Sequence, residues 1–213
     1  MTSPSRIRDP LDDHLLTPQN CALVIIDYQP IQVMSIASMD RRLLVSNIVA
    51  VIRTARLFGM PVVLSTVNVK TGINQPTIPD IAKLLPDVPS IDRTSMNSWE
   101  DTEFVAAVKA TGRRKLVMAA LWTEVCLAFP ALDAMREGFE VYPVVDAVGG
   151  TSLESHRAGL ERIVQAGAHP VSWVQLICEL QRDWNRKATA ETFAEILFNK
   201  PPRSPADHAS PVA

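Results

Sequence analysis

The chain has 213 residues and a net charge of −2, and 47% of its residues are hydrophobic while 21% are charged. This length fits one domain with terminal extensions, in which about 70% of the unfolded chain's surface is buried. The near-neutral charge argues against nucleic acid or anionic membranes as partners. No apolar stretch approaches the roughly 20 residues that span a bilayer.

The N-terminal residues and the cysteines indicate the cellular compartment of the protein. The first residues lack the apolar region of a signal peptide, so we expect a cytoplasmic protein. The chain has three cysteines, Cys21, Cys126 and Cys178, and no Cys-x-x-Cys pair. This odd, widely spaced set argues against a disulfide framework, thioredoxin-like redox chemistry and a zinc ribbon. We interpret Cys21 and Cys178 as core residues.

The chain divides into an extension at 1–14, a folded body at 15–198 and a tail at 199–213, which four prolines predict to be disordered. Short apolar or β-branched runs alternate with helical patterns in the body. The predicted strands are Ala22–Asp27, Pro61–Val67, Ser90–Arg93, Lys115–Ala120, Glu140–Asp146 and His169–Trp173. The predicted helices lie near 40–58, 77–85, 101–111, 124–137, 152–167 and 174–198, several of them ending at Gly59, Gly112, Gly138 or Gly167.

Strands that alternate with helices predict an α/β domain, in which a parallel sheet has helices on both faces. In such sheets, ligands and chemistry lie at the carboxyl ends of the strands, beside the point where strand order reverses. The first predicted strand ends on Asp27, the third on Arg93, and the fourth leads to Cys126. We therefore expect these three side chains to converge.

Each of the three residues also has an ordinary interpretation. Asp27 is of a type that often caps a turn or helix, and a single arginine such as Arg93 is commonly a surface or ion-pair residue. Cys126 follows Thr123, a good N-cap, so it is predicted at the third helical position, where the helix dipole lowers a thiol's pKa. The alternative is a small apolar residue that packs a helix onto the sheet.

Together, an acid, a cation and a thiol are suited to nucleophilic catalysis. The carboxylate of Asp27 takes the thiol proton, the cation of Arg93 stabilises charge, and the sulfur of Cys126 attacks an electrophilic carbon. The backbone N–H groups of Trp122 and Cys126 are the predicted donors to an oxyanion.

At these residues the chain resembles the isochorismatase-like cysteine hydrolases, and within them the YcaC-type branch. The resemblance covers about residues 20 to 198. It implies a Rossmann-like, three-layer α/β/α fold with a six-stranded parallel sheet, and a homo-oligomer, with an octamer of stacked rings as one arrangement. The segments that carry it are Ala22–Gln29, Arg93–Glu100, Phe104–Gly112, Thr123–Leu132 and Cys178–Trp184.

The resemblance also implies an Asp–Lys–Cys triad, which falls here on Asp27, Arg93 and Cys126. Arginine stands where the family commonly has lysine, although arginine is usual in the YcaC-type branch. Since arginine stays protonated, it orients and stabilises charge but does not shuttle a proton. The family further tends to have a non-proline cis peptide four residues before the nucleophile, which is the Leu121–Trp122 bond here.

Several other classes of site are excluded by the sequence. Nicotinamidase-type relatives bind a metal through histidines located between the acid and the cation of the triad, and this chain has none between Asp27 and Arg93. We expect no required metal and no cofactor. Gln29 stands where a haloacid dehalogenase has its second aspartate, and no glycine-rich phosphate or dinucleotide motif follows the first strand.

The sequence therefore predicts a metal-independent cysteine hydrolase that acts on a small amide-like or related C–N bonded substrate through a Cys-linked intermediate. The alternatives are an oligomeric small-molecule-binding or scaffold protein with weak or lost turnover, and an oxidation-sensing role for Cys126. Candidate pocket residues are Gln29, Asn97 and Trp99, of which the two amides are equally plausible as caps and the indole as a core residue.

Overall fold

The computed structural model describes residues 9–198, so the predicted tail and the first part of the predicted extension lie outside the described residues. The strands are β1 (Cys21–Ile26), β2 (Val62–Val67), β3 (Ser90–Arg93), β4 (Lys115–Ala120) and β5 (Glu140–Pro143). The helices are α1 (Pro30–Met34), α2 (Arg41–Leu57), α3 (Pro79–Ala82), α4 (Thr102–Ala110), α5 (Ala128–Arg136), α6 (Leu153–Gln165), α7 (Trp173–Gln181) and α8 (Lys187–Phe198). A 3₁₀ turn covers Ser98–Glu100, and a π-helical turn covers Thr123–Leu127.

The five strands form one parallel sheet in the order β3-β2-β1-β4-β5. β1 lies in the centre, where Ile26 is in register with Ser65 of β2 and with Ala120 of β4. All six residues of β1 are fully buried, as expected of an apolar strand that is covered on both faces. The carboxyl ends of β1, β2 and β4 therefore lie level at one edge.

Helices cover both faces of this sheet, which confirms the predicted α/β class. Helices α2, α7 and α8 contact one another, and α4, α5 and α6 form a second group that is joined through the 3₁₀ turn and the π-helical turn. Side chains cap several helix starts; Asp40, for example, accepts a hydrogen bond from the Leu43 N–H at 2.8 Å. No helix in the described part of the chain is long and apolar enough to cross a membrane.

The sixth predicted strand, His169–Trp173, is reduced to an isolated parallel bridge between Val171 and Val144, so the sheet has five strands rather than six. The segment does lie beside β5, because the His169 N–H donates to the Val141 carbonyl at 2.8 Å. The pairing ends there because Ser172 caps α7 immediately afterwards.

Three helix predictions differ from the structure. The helix predicted over 174–198 is two helices, because Arg182 has a left-handed φ of 61° that a right-handed helix does not accommodate. The helix predicted near 77–85 is only α3, which ends at Ala82 with Lys83 as its C-cap. The short helix α1, directly after β1, was not predicted.

Candidate active site

The three predicted catalytic residues all follow strands that end at the same edge of the sheet. Asp27 comes directly after β1, Arg93 is the last residue of β3, and Cys126 lies in the π-helical turn after β4. The chain passes from β1 outward to β2 and later returns to β4 on the other side of β1. Strand order therefore reverses between β1 and β4, where α/β sheets form their binding crevice.

Arg93 and Asp27 form a buried bidentate ion pair. Nη1 and Nη2 of Arg93 each donate to one carboxylate oxygen of Asp27 at 2.7 Å, and both side chains are 0% exposed. Arg93 crosses the end of β2 to reach this partner, and its Nη1 also donates to Ser65 Oγ and the Thr66 carbonyl, both at 3.1 Å. Burial is the largest single effect and opposes the charge of Arg93, but the hydrogen bonds with Asp27 and the surrounding negative charges together outweigh it and raise the guanidinium pKa.

Asp27 has an unusual backbone conformation. Its φ of 61° lies in the left-handed region, which few residues other than glycine, asparagine and aspartate adopt. Residues of this kind cluster at functional sites because the surrounding structure must hold them in place. Both carboxylate oxygens of Asp27 bind Arg93. The cap that a lone aspartate suggests is thus not the role that these oxygens take.

Cys126 lies in a different local structure from the predicted one. The sequence predicts Thr123 as an N-cap, but Thr123 begins the π-helical turn, and its hydroxyl pairs with Nδ1 of His156 at 2.9 Å. The N-cap position belongs to Trp122, which makes no side-chain cap. Cys126 is 8% exposed, in a turn that precedes α5 rather than in the first turn of a regular α-helix.

The predicted lowering of the Cys126 pKa is wrong for this arrangement. Burial, the negative charge of Asp27 and a hydrogen bond to that carboxylate all raise the pKa of the Cys126 thiol. Arg93 and the Trp122 N–H lower the pKa by less. The helix-dipole argument failed because it left out the burial of the sulfur, which is the largest effect on the pKa, and the carboxylate next to it. The thiol is therefore protonated and lies within reach of a proton acceptor.

Trp122 is fixed at two points beside this thiol. The peptide bond between Leu121 and Trp122 is cis, as the family resemblance implies. The Trp122 backbone N–H lies close enough to the sulfur of Cys126 to lower the pKa of that thiol, and its indole Nε1 donates to Ser35 Oγ at 2.7 Å. A backbone donor thus stands at the atom that would attack a carbonyl group.

Gln29, a candidate pocket residue, has its amide group engaged by the protein itself. Its Nε2 donates to the carbonyls of Val67 and Gln75 at 3.0 and 2.7 Å, and its Oε1 accepts from the Val67 N–H at 2.9 Å. The side chain is fully buried. These bonds hold the end of β2 and the following loop against the segment after β1.

The other two pocket candidates, Asn97 and Trp99, contact α5 instead. Asn97 caps the 3₁₀ turn by accepting from the Trp99 N–H at 3.0 Å and donates to Asp133 at 2.7 Å. Trp99 donates to Glu137 at 2.8 Å. Glu137 follows the last residue of α5, so it lies at the end of that helix opposite Cys126, about 15 Å away at the helical rise per residue. These contacts give both side chains a place in the scaffold.

Sequence reasoning missed the residues that support the triad. Ser65 and Thr66 hold Arg93 from β2, and Ser35 holds the Trp122 indole. The available signal was a pair of adjacent hydroxyl residues inside the otherwise apolar strand β2, at its carboxyl end. The prediction for Cys178 is also wrong, because its side chain is exposed, whereas Cys21 is buried as predicted.

Metal ligands do not cluster near this site. Across residues 9–198, no group of three or more histidine, cysteine, aspartate or glutamate side chains is arranged to hold a metal ion. The chemistry that the site can perform with its own groups is proton transfer between sulfur and carboxylate, with a fixed cation behind the carboxylate.

Comparison with known proteins identifies the family of this chain. The family model described as "Isochorismatase domain" matches residues 21–175. "Probable hydrolase YcaC" of Escherichia coli is 37% identical over 188 residues, which are 88% of this chain and 89% of that protein.

Two solved structures share the fold over most of their length. YcaC from Pseudomonas aeruginosa, solved with hexane-2,5-diol and covalent acrylamide, has a TM-score of 0.84 at 34% identity, covering 89% of this chain and 93% of that one. The Escherichia coli YcaC structure, described as an octameric hydrolase of unknown specificity, has a TM-score of 0.82 at 35% identity, covering 88% and 92%. By both sequence and structure, this chain belongs to the isochorismatase family, alongside the YcaC proteins.

Proposed function

We propose that this protein is a metal-independent cysteine hydrolase that acts on a small amide-like or related C–N bonded substrate through a Cys-linked intermediate. The observation that carries the proposal is the position of the Asp27 carboxylate, which forms a bidentate ion pair with Arg93 and lies close enough to the Cys126 thiol to raise the pKa of that thiol. In this proposal Asp27 is the general base, Cys126 the nucleophile and Arg93 the cation that orients the base.

The first half of the proposed reaction transfers the acyl group to sulfur. Asp27 takes the thiol proton as the sulfur of Cys126 attacks the substrate carbonyl carbon, and the carbonyl electrons move to oxygen. The N–H groups of Trp122 and Cys126 are the proposed donors to that oxyanion. The intermediate then expels the amine, which takes the proton from Asp27, and a thioester remains on Cys126.

The second half uses water to release the acid. Asp27 accepts a proton from water while the water oxygen adds to the thioester carbon. The tetrahedral intermediate expels the sulfur of Cys126, which recovers the proton from Asp27. The net reaction converts an amide and water into an acid and an amine, and every proton is carried by a group of this chain or by water.

Arg93 has a positioning and electrostatic role in both halves. It stays protonated throughout, and its two bonds fix both oxygens of Asp27, so the carboxylate faces the sulfur in one orientation. The proposal therefore assigns all proton movement to Asp27.

The relatives support a reactive nucleophile. The Pseudomonas structure carries covalent acrylamide, whose activated C=C bond is attacked by thiolates and whose amide group stays intact in that addition. We propose Cys126 as the residue that reacts in the same way here. We also propose a homo-oligomer, since the Escherichia coli relative is described as octameric; the cytoplasmic location stays a prediction.

The direct test is ammonia release from a panel of small aliphatic and aromatic amides. We expect turnover by the native protein, none by Cys126→Ala, and unchanged turnover by the matched control Cys178→Ala. Turnover that persists in Cys126→Ala would overturn the proposed nucleophile. If no amide is hydrolysed and acrylamide does not attach to Cys126, the alternative of an oligomeric binding protein replaces this proposal.

A further inference from the structure

The π-helical turn that carries Cys126 is held from outside by residues 149–159, which include the start of α6. A parallel bridge joins Leu121 to Gly149, and the Thr123 N–H donates to the Gly149 carbonyl at 2.9 Å. The segment after β5 thus continues the sheet pairing beyond the end of β4. It meets the turn at its first residue.

Glu124 makes the next connection. One carboxylate oxygen, Oε1, accepts from the Thr151 N–H at 2.9 Å and from the Thr151 hydroxyl at 2.7 Å. The other oxygen, Oε2, lies against Gly150, where an added Cβ would stand 2.5 Å from it and 2.9 Å from Cβ of His156. A side chain at 150 would therefore displace the Glu124 carboxylate.

Gly159 brings α6 onto the backbone of the same turn. An added Cβ at Gly159 would lie 2.9 Å from Glu124 Cα, 3.0 Å from its N and 3.1 Å from the Thr123 carbonyl oxygen. These three are backbone atoms, so no change of rotamer relieves the contact. Glycine is unfavourable in a helix interior compared with alanine, which makes close approach the physical reason for glycine here.

We infer that Glu124 and Gly159 are positioning residues for Cys126, and we name Glu124, Gly150, Thr151 and Gly159 the clasp. This inference rests on the proposed function of Cys126 as the nucleophile. The clasp acts on the sulfur through the backbone of the turn, because Glu124 is two residues from Cys126 in the same turn. The sulfur needs contact with Asp27, and a displacement of about 1 Å is enough to cost a large factor in rate.

The test is the iodoacetamide labelling rate of each cysteine in the full chain, read by peptide mass spectrometry. We expect Gly159→Ala and Glu124→Ala to slow labelling of Cys126 by about 10- to 100-fold. Glu124→Gln keeps an oxygen for Thr151 and should restore the rate to within about threefold of the native one. Glu154→Gln, which removes a charge from the exposed face of α6, is the matched control and should leave the rate unchanged.

A second readout separates positioning from general destabilisation. In the native protein we expect the labelling rate of Cys126 to depend little on pH, because in the proposed mechanism the thiol proton passes to the Asp27 carboxylate. If a substitution moves the sulfur away from that carboxylate, the labelling rate should rise about tenfold per pH unit, as it does for an ordinary thiol. Cys178 labelling should be the same in all variants. If Gly159→Ala does not fold, the role of the clasp is decided by comparing the labelling rate of Cys126 and its pH dependence between Glu124→Ala and Glu124→Gln.

The two proposals fail in different ways. Native-like rates and pH profiles in both Gly159→Ala and Glu124→Ala would overturn the role of the clasp and leave the nucleophile in place. A native protein in which Cys126 labels no faster than Cys178 would instead overturn the proposed nucleophile, whatever the variants do.

Discussion

Replacing Asp27 with asparagine should change how the reactivity of Cys126 depends on pH. In the proposed mechanism the thiol proton of Cys126 passes to the Asp27 carboxylate, and this transfer creates the thiolate without releasing a proton to water. The reactive fraction is therefore constant between the two ionisations of the pair. From pH 6 to 8 we expect the labelling rate of Cys126 to vary by less than about threefold.

In Asp27→Asn the thiol ionises only by losing its proton to water. The labelling rate should then rise about tenfold per pH unit until the pKa of the thiol is passed. That pKa should be lower than in the native protein, because the charge and the hydrogen bond of Asp27 both raise it. Amide turnover should fall by about 10²- to 10⁴-fold, since the general base is gone.

The variant should remain folded. The native pair has two charge-assisted hydrogen bonds of 2.7 Å, and asparagine can keep one of them, so the direct loss is about 1.5–3 kcal/mol. Leaving a buried ion without a partner costs about 3–5 kcal/mol, but Nη1 of Arg93 retains Ser65 and Thr66. A domain stable by about 5–15 kcal/mol tolerates this.

The assay is iodoacetamide labelling of Cys126 at half-unit pH steps, with Cys178 as the internal reference and urea unfolding as the check on folding. Cys178 should show the ordinary tenfold slope in both proteins. If Cys126 of the native protein shows that same tenfold slope, proton transfer from Cys126 to Asp27 is refuted. A labelling rate of Cys126 that does not change with pH in Asp27→Asn would refute it as well.

Three further outcomes follow from other contacts. Arg93→Lys keeps the charge but loses the bidentate hydrogen bonding to Asp27, so the free energy of unfolding measured in urea should fall by about 1.5–3 kcal/mol. An unchanged free energy of unfolding would mean that the second hydrogen bond contributes nothing. Lys115 donates to the Asp13 carbonyl at 2.6 Å, at the edge of the sheet opposite Cys126. Lys115→Met should therefore lower the free energy of unfolding by at least about 2 kcal/mol and leave the labelling rate of Cys126 unchanged. Slower labelling of Cys126 would contradict the independence of these two regions. Burial raises the pKa of Cys21 from 9.0 to about 12. As the pH rises between these two values, the thiol loses its proton in the unfolded chain but keeps it in the folded protein, so the free energy of unfolding should fall by about 1.4 kcal/mol per pH unit. Cys21→Ala should make the fall shallower, and an identical pH dependence in the two proteins would refute the assignment.

The sequence was sufficient for the α/β class because the signal lay in long, uniform patterns. β1 is an unbroken apolar run, and only a strand covered on both faces accounts for it. Since parallel strands end at one edge, naming the residues after β1, β3 and β4 was enough to bring Asp27, Arg93 and Cys126 together. Strand order was not needed for that step.

What the sequence could not provide was the local geometry around the sulfur. Thr123 has the residue type of an N-cap, but His156, distant in sequence, takes its hydroxyl. The pKa of Cys126 depends first on how deeply the sulfur is buried and then on whether Asp27 or Arg93 acts on it more strongly, and no spacing rule contains that information. The helix break at Arg182 accompanies a hydrogen bond from its guanidinium to the Leu16 carbonyl at 3.1 Å, a partner distant in sequence. The strand before Ser172 ends because that residue caps α7.

The pocket roles of Gln29, Asn97 and Trp99 stay predictions. Amide side chains such as Gln29 and Asn97 serve equally well to bind a substrate or to satisfy backbone groups, and the structure shows their bonds to the protein. Trp99 packs at right angles to Phe139, with ring centroids 5.5 Å apart, so its ring is part of the core between the 3₁₀ turn and the helices. Residue type alone did not separate these roles.

The central claim is that an acyl group passes through Cys126 and is then released by water, and the most direct measurement is intact-protein and peptide mass spectrometry on samples quenched during reaction with p-nitrophenyl acetate. We expect one acetyl group on Cys126 of the native protein that decays with time, and an acetyl group that persists in Asp27→Asn, because Asp27 activates the water. Product release without any acetyl group on Cys126, or decay at the native rate in Asp27→Asn, would contradict the account.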